Sequence, residues 1–429
     1  MRPGAAAMTL VRVPPEDGSK RDGTAGAASL PTPERTARAA HRPTLTLLEP
    51  HRASLEKCVY CPKLCRAACP VSDIEANETV TPWGKMSMAY FAGRGDVPID
   101  APHAEPAWAC SGCHACRERC DHRNEVAAIL GDARAELFAR GAAPPAAKAV
   151  AAGFRERAEA LRGAVEELEA ERVDAGPHRD KGPGGPVTVL LGCGYVRHAP
   201  EVAREALDAI EALLGAPARP VRACCGLPLL YAGDRRGFEE AARRLAAEVA
   251  SALGRGAAGR GRGRGEEGGR GHLVAVDPGC ARALLVEYPR VGVAAPPPEL
   301  FVDLALRSID RLERSTSERR VRFHDPCQLG RGLDRYDPPR AILARITGRP
   351  PEEFIHHHEH ADCSGAGGLV PVTRPVTSAG IADRRIEEHR ALGGGLLVTH
   401  CAQSLRRFRS RGEEAEDLVS LVARAVGPR

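Results

Sequence analysis

Features that mark membrane, secreted and nucleic-acid-binding proteins are scarce in this 429-residue sequence. No apolar run approaches the ~20 residues that a membrane-spanning helix requires, and no apolar leader core stands near the start. Aromatic residues make up only 4%, and the net charge of +5 is small against 61 basic and 56 acidic residues. We therefore expect no direct membrane span, and the charge indicates no nucleic-acid partner.

Cysteine, in contrast, is abundant. An odd number of cysteines in a chain without a secretory leader argues against a disulfide framework and for reduced thiols in a cytoplasmic protein. The 15 cysteines are Cys58, Cys61, Cys65, Cys69, Cys110, Cys113, Cys116, Cys120, Cys193, Cys224, Cys225, Cys280, Cys327, Cys363 and Cys401. We interpret all of them as candidate metal ligands.

The first eight cysteines form two dense runs, at 58–69 and 110–120. Such runs are typical of two [4Fe–4S] clusters, in which three cysteines of one run and the fourth of the other hold each cluster. This crossed pattern predicts one set of Cys58, Cys61, Cys65 and Cys120, and a second set of Cys110, Cys113, Cys116 and Cys69.

Two details depart from the usual spacing. The first run has one extra residue between Cys61 and Cys65, and Asp121 follows the second run where proline is usual. Zinc is the alternative, since C-x2-C pairs also bind zinc. The spacing favours iron and sulfide, because zinc would use two pairs per ion rather than two runs of four.

The chain order predicts a disordered tail at 1–50, a helical two-cluster domain at 51–141, and a connecting helix with a Gly/Pro linker at 142–186. From residue 187, buried-strand runs alternate with amphipathic helices, which indicates parallel α/β structure. The pattern occurs twice, at 187–310 and 320–425. A Gly/Arg-rich insertion at 254–271 interrupts the first repeat and is expected to be a disordered loop.

Alignment of the two repeats pairs most of the remaining cysteines. The pairs are Cys193 with Cys327, Cys224 with Cys363, Cys225 with Ser364, Asp277 with Cys401, and Cys280 with Ser404. Each position lies just past a predicted strand, where open α/β sheets place their sites. We expect the two repeats to face each other and to gather both sets into one cleft.

The repeated Cys…Cys-Cys-Gly…Cys pattern, with His324-Asp325-Pro326-Cys327 and Cys363-Ser364-Gly365, resembles the cysteine-rich CCG-domain iron–sulfur proteins. These include the B-type and D-type subunits of heterodisulfide reductase, the glycolate oxidase iron–sulfur subunit and the C-type subunit of anaerobic glycerol-3-phosphate dehydrogenase. The resemblance implies an α+β multidomain fold, with an N-terminal ferredoxin-like two-cluster domain followed by two α/β CCG repeats.

The resemblance also implies a third [4Fe–4S] cluster in the first repeat, at Cys193, Cys224, Cys225 and Cys280. The second repeat is degenerate, because serines replace two of its cysteines. Oxygen ligands suit iron in a cluster less well than thiolates do. Cys327, Cys363 and Cys401 remain candidate metal ligands there.

Two functions follow from the resemblance. The first is an electron-transfer subunit of an oxidoreductase complex, with a flavoprotein dehydrogenase or other redox subunit as its partner. A membrane-anchored quinone or haem subunit would place it at the inner face of the membrane. The alternative is a catalytic thiol–disulfide reductase, with Cys193, Cys224, Cys225 and Cys280 as candidate catalytic residues.

A few histidines and tryptophans lie near these cysteines. His324 and His400 flank repeat cysteines and are candidates for hydrogen bonding to cluster sulfur. The run at 356–360 contains four histidines; we interpret it as a polar loop, with a zinc or haem-contacting site as the alternative. Trp83 and Trp108 are predicted to shield the clusters from water.

Overall fold

The computed structural model describes residues 45–63, 65–174, 185–258, 272–315 and 319–426, which all lie in one compact unit. Most of the predicted tail, the centre of the predicted linker and residues 259–271 of the predicted insertion lie outside these ranges. No helix in the described part of the chain is long and apolar enough to cross a membrane.

The N-terminal region, up to residue 174, is helical. Its α-helices are Arg52–Val59, Pro70–Glu75, Pro82–Arg94, Ala101–Ala104, Ala115–Glu118, Val126–Ala139, Pro145–Ala152 and Phe154–Asp174. Its 3-10 helices are Thr46–His51, Arg66–Ala68, Glu78–Val80 and Glu105–Trp108. Helix Pro82–Arg94 begins at a Thr81 cap, whose hydroxyl accepts a bond from the Gly84 amide at 3.0 Å.

Three predicted boundaries in the sequence need correction. Residues 46–50, predicted as tail, belong to a 3-10 helix, Thr46–His51, because Leu45 and Leu48 are buried in the N-terminal core. The single predicted connecting helix is two helices, separated at Gly153. Residues 254–258, predicted as loop, continue the helix that starts at Arg235.

The first repeat contains a parallel sheet with strand order β2-β1-β3-β4. Its strands are β1 (Val187–Leu190), β2 (Ala218–Pro220), β3 (Leu273–Ala275) and β4 (Glu299–Leu300). Its α-helices are Cys193–His198, Pro200–Leu214, Leu227–Ala232, Arg235–Ala258, Pro278–Arg282, Tyr288–Arg290 and Phe301–Arg307, with a π-helix at Ala283–Glu287 and a 3-10 helix at Ile309–Arg311. All residues of β1 and β3 are buried, as their apolar sequences predict.

The second repeat contains a parallel sheet with strand order β5-β6-β7. Its strands are β5 (Val321–Phe323), β6 (Leu396–Thr399) and β7 (Ala415–Asp417). Its α-helices are Gly330–Leu333, Asp337–Thr347, Val370–Thr373, Pro375–Ala391, Ala402–Ser410 and Leu418–Ala425, with a 3-10 helix at His358–His360. The predicted order, a helical region and then two α/β repeats, is therefore what the structure has.

One large apolar core serves both repeats. Helix Pro200–Leu214 of the first repeat packs on helix Leu418–Ala425 of the second. Polar contacts join the same two parts, since the Tyr195 hydroxyl donates to Asp417 Oδ2 at 2.7 Å in a buried position. A second core lies in the N-terminal region and also includes Ala232 of the first repeat. The repeats are consequently interlocked rather than strung along a linker.

Candidate metal centres

A cavity of about 110 Å³ opens at the end of helix Arg52–Val59. The first predicted set lines it, namely Cys58, Cys61, Cys65 and Cys120. Cys116, Trp83 and Asn124 also contribute to its wall. The structure thus brings the last cysteine of the second run to the first run, as the crossed pattern predicts.

Without a metal, the electrostatics of this cavity are unfavourable for thiolates. Burial raises the pKa of Cys58 to about 11, and repulsion from Cys120 and Cys61 adds to it. Burial raises the pKa of Cys65 to about 12, with repulsion from Cys58, Cys120 and Cys61. A bound metal reverses this situation, because it supplies positive charge and keeps its thiol ligands deprotonated. These residues fit an iron–sulfur cluster.

The second predicted set also comes together. Cys116 has a strongly raised pKa because of burial and of repulsion from Cys110, Cys113 and Cys69. Cys69 therefore lies with the second run, although it belongs to the first run in sequence. The Lys85 ammonium donates to Cys69 Sγ at 3.3 Å. This group of sulfurs likewise fits a cluster.

Two buried cations beside the second set were missed by sequence reasoning. Burial works against the charge of Lys85, but the sulfurs of Cys69 and Cys110 outweigh it and raise its pKa. Arg331, from the second repeat, donates through Nε to the Cys113 carbonyl at 2.6 Å, and its buried Nη2 has no hydrogen-bond partner among the described residues. Sequence reasoning could have found Lys85, because it lies between the two cysteine runs, in the segment Thr-Pro-Trp-Gly-Lys.

The four candidate catalytic cysteines of the first repeat form one group at the carboxyl end of its sheet. Cys225 Sγ and Cys280 Sγ lie 3.3 Å apart, and the Cys193 and Cys224 thiols are hydrogen-bonded to each other. The hydrogen bond with Cys193 lowers the pKa of Cys224, but the neighbouring Cys225 thiol and burial outweigh it and raise that pKa to about 12. The group thus fits a metal centre by the same argument.

Asp277 holds the two repeats together at this point. Its Oδ1 caps helix Pro278–Arg282 by accepting from the Gly279 amide at 2.9 Å and the Cys280 amide at 3.2 Å. It also accepts a bond from the Ala402 amide, next to Cys401 of the second repeat. Gly192 (φ +95°) lies so close that an added Cβ would be 2.5 Å from Asp277 Cβ. The carboxylate thus has a structural role at the position that aligns with Cys401.

The three cysteines of the second repeat lie against the other two parts of the chain. Cys363 is hydrogen-bonded to Cys113 of the N-terminal region, and Cys327 lies near both. Cys401 faces Asp277 of the first repeat and also lies near Cys327. Ser364 Oγ and Ser404 Oγ, which replace cysteines, bond to each other at 2.8 Å in a buried position. The serine pair is therefore satisfied without a metal.

The histidines have other partners than sulfur in the described part of the chain. His324 Nδ1 accepts from Arg385, and burial lowers its pKa to about 3, helped by that arginine. His400 Nδ1 lies 3.1 Å from Asp417 Oδ1. These contacts occupy Nδ1 of each ring, and the hydrogen bonds to cluster sulfur stay a prediction.

The histidine run forms a partly exposed loop. His357 Nδ1 and His358 Nδ1 are 2.6 Å apart, and one oxygen of Glu353 lies within 4.8 Å of them. Glu353 is already bound by Arg340, through bonds of 2.7 and 2.8 Å.

The two tryptophans were predicted to shield the clusters from water. Trp83 lines the first cavity, and Trp108 is fully buried and donates to the Ala232 carbonyl.

Comparison with known families agrees with this arrangement. Residues 54–124 match the 4Fe-4S dicluster domain family, and residues 187–257 and 321–405 match the cysteine-rich CCG domain family. Together these matches cover more than half of the chain. It is a CCG-domain iron–sulfur protein. The predicted fold class, a ferredoxin-like dicluster domain followed by two CCG repeats, is thereby confirmed.

Relatives of this CCG-domain protein include subunits of reductases. It is 30% identical to the D-type subunit of the dihydromethanophenazine:CoB–CoM heterodisulfide reductase of Methanosarcina mazei, over 48% of this chain and 49% of that one. It is 26% identical to the B-type subunit of the CoM/CoB fumarate reductase of Methanothermobacter marburgensis, over 81% of this chain and 66% of that one. The chain thus spans about half to two thirds of the length of these relatives.

Proposed function

We propose that this protein is an electron-transfer subunit of an oxidoreductase complex. The observation that carries the proposal is the exchange of Cys69 and Cys120 between the two cysteine runs. Two sets of four sulfurs result, and this is the ligand arrangement that two [4Fe–4S] clusters require. When bound, such clusters accept and donate single electrons.

The residues around the two sets suit this role. Trp83 covers the first cavity, its Nε1 is fixed by the Val59 carbonyl at 3.1 Å, and Lys63 lies 4.0 Å over its ring. Trp108 is fully buried in the N-terminal core. Exclusion of water and hydrogen bonds to sulfur are the means by which a protein sets the potential of a cluster.

A third cluster at Cys193, Cys224, Cys225 and Cys280 is part of the proposal. A run of contacts supports a connection between it and the second set. Cys113 bonds to Cys363, Cys327 lies near both, and Cys401 faces Asp277 beside Cys280. The degenerate second repeat thus lies between the N-terminal sulfurs and those of the first repeat.

The proposed partner is a flavoprotein dehydrogenase or another redox subunit. The names of both described relatives identify them as subunits of reductases, which supports an assembly of this kind. A membrane-anchored quinone or haem subunit would hold the complex at the inner face of the membrane, with this chain on the cytoplasmic side.

The metal content tests the proposal. We expect protein reconstituted without oxygen to bind about twelve irons and twelve sulfides per chain, four of each per cluster. Cys58→Ser and Cys225→Ser should each remove about four irons and a different low-temperature EPR signal. About eight irons, with no change in Cys225→Ser, would exclude the third cluster. A colourless, zinc-containing protein would contradict the whole proposal.

The alternative function is thiol–disulfide reduction at the first-repeat group. It is favoured by the partial exposure of Cys193 and Cys224, which contrasts with the burial of Cys225 and Cys280. Two electrons from a reduced viologen dye and two protons would convert one disulfide into two thiols. Cys225→Ser should then abolish disulfide reduction. Undiminished transfer from the dye to an acceptor in this variant, together with unchanged disulfide reduction, would exclude the alternative.

A further inference from the structure

Lys85 is a buried cation that has no carboxylate partner in the part of the chain that the structure describes. Lys85 is only 2% exposed, and its Nζ donates to Cys69 Sγ at 3.3 Å. Among the residues that the structure describes, Cys69 is the acceptor of its ammonium, and no Asp or Glu forms an ion pair with it. Removal of a charge from water is costly unless an opposite charge compensates it. The compensating charge must therefore come from the sulfur group itself.

The backbone around Lys85 fixes this position. The Lys85 amide bonds to the Thr81 carbonyl at 3.0 Å within the first turn of helix Pro82–Arg94. Gly84 lets this turn approach segment Glu78–Val80, because a Cβ there would lie 2.3 Å from the Glu78 carbonyl oxygen. The ammonium is thus held against Cys69 by the fold rather than by a flexible surface contact.

The first set has a different hydrogen-bond donor. The amide group of Asn124, which is neutral, donates to Cys58 Sγ at 3.0 Å. The lysines near that cavity are Lys57 and Lys63, which reach solvent, and Lys63 pairs with Glu78 at 3.7 Å. Charges in contact with water are strongly screened, whereas a buried charge is not. The two sets therefore differ in electrostatic environment.

We propose that Lys85 makes the cluster held by Cys69, Cys110, Cys113 and Cys116 the more easily reduced of the two N-terminal clusters. Reduction adds one negative charge, and a fixed positive charge beside a ligand sulfur stabilises the reduced form. Arg331, buried beside Cys113, acts in the same direction. The inference rests on the proposed function, since it requires both clusters to be bound.

This order of potentials gives electron flow a direction. The second set is the one that touches the repeats, through the bond between Cys113 and Cys363. The more easily reduced cluster of the pair thus lies on the side that faces the two repeats. Electrons that enter from a reduced partner at the first set would collect at this second cluster. In this scheme Lys85 acts on the cluster through its positive charge and does not ligate iron.

The test is a redox titration of the reconstituted full chain, monitored by EPR. Lys85→Met should lower one midpoint potential by at least 59 mV, a tenfold change in the equilibrium constant of a one-electron couple. The other potential should stay in place. Asn124→Leu should lower only that other potential, which assigns the two signals. The matched control is Lys57→Met, which removes an exposed lysine beside the first cavity. In this variant, the equilibrium constant for reduction of each cluster should change less than twofold.

The outcomes separate the two proposals. Absence of two cubane signals in the unmodified protein would overturn the proposed function. Two cubanes with potentials that Lys85→Met leaves unchanged would overturn only the role of Lys85. If Lys85→Met binds less iron, Lys85→Gln decides, because it keeps a donor of similar length without the charge. A potential retained in Lys85→Gln would contradict the proposal, and a lowered one would support it.

Discussion

At the scale of single residues, Ser364 and Ser404 show how two serines can occupy positions that align with cysteines and still leave no buried hydroxyl unsatisfied. Each hydroxyl has the other as partner at 2.8 Å, in a place that is closed to solvent. A lone serine there would leave a buried hydroxyl unsatisfied, which costs roughly 1–3 kcal/mol. The pair is stable because both cysteines were replaced.

The serine pair gives a prediction on stability. Ser364→Ala should lower the free energy of unfolding by about 1–3 kcal/mol, because Ser404 loses its partner. Addition of Ser404→Ala should recover most of this loss, since no unsatisfied group remains. Denaturant titration of the two single variants and the double variant measures the coupling. Additive losses in the double variant would show that the bond is not the source of stability.

At the scale of structural elements, much of the architecture was predictable from the sequence. The segments at 187–191, 273–276, 321–324 and 396–399 predicted four strands, which the structure contains as β1, β3, β5 and β6. Three of them are mostly apolar, as fully buried parallel strands require, whereas Arg322 and His324 interrupt the segment at 321–324. The crossed exchange of Cys69 and Cys120 followed from spacing. The contact of Cys113 with Cys363 could not be predicted, since it depends on how the N-terminal region packs on the second repeat.

Short elements and buried cations were also beyond the sequence. Strands β2, β4 and β7 have the sequences Ala-Arg-Pro, Glu-Leu and Ala-Glu-Asp, which lack the apolar run that marks β3. Lys85 and Arg331 have residue types that are almost always exposed, so their burial beside sulfur contradicts the usual expectation. The Asp277 cap was hidden because its position aligned with a cysteine of the other repeat.

The loops after β1 and β3 give a prediction at the scale of elements. Gly192→Ala should disturb the first-repeat group, because the added Cβ would meet Asp277 at 2.5 Å and the φ of +95° disfavours any side chain. We expect a loss of about 1–3 kcal/mol in unfolding free energy and reduced iron binding at the first repeat alone. Iron and sulfide analysis with EPR measures the second effect.

Gly163→Ala is the matched control for this substitution. Gly163 lies within helix Phe154–Asp174, and an added Cβ would have no atom within 4 Å. Alanine there should stabilise the protein by about 0.5–1 kcal/mol through helix propensity. Normal stability and iron content in Gly192→Ala would refute the importance of the close approach.

At the scale of the whole molecule, the two repeats share one core and one buried polar network. Tyr195 of the first repeat and His400 of the second both contact Asp417, and Phe301 packs against the His400 ring at 5.8 Å. Neither repeat can unfold alone without exposure of apolar residues of the other. We therefore expect the two repeats to unfold in a single transition.

This expectation can be checked with probes that report on each repeat separately. Hydrogen exchange of the amides in β1 and in β6, followed across a denaturant series, should give the same opening free energy for both strands. Exchange of β6 at a clearly lower free energy than β1 would mean that the second repeat opens by itself. That result would contradict a shared core.

The glycines at 367 and 368 add a matter of timing. Their missing side chains let the second repeat close over the loop of the second set, because a Cβ at Gly368 would lie 2.2 Å from the Cys110 carbonyl oxygen. At roughly 5–20 residues per second, the ribosome makes this cover some tens of seconds after Cys120. We therefore expect the loop of the second set to be more accessible to iron before the second repeat is in place than in the folded chain.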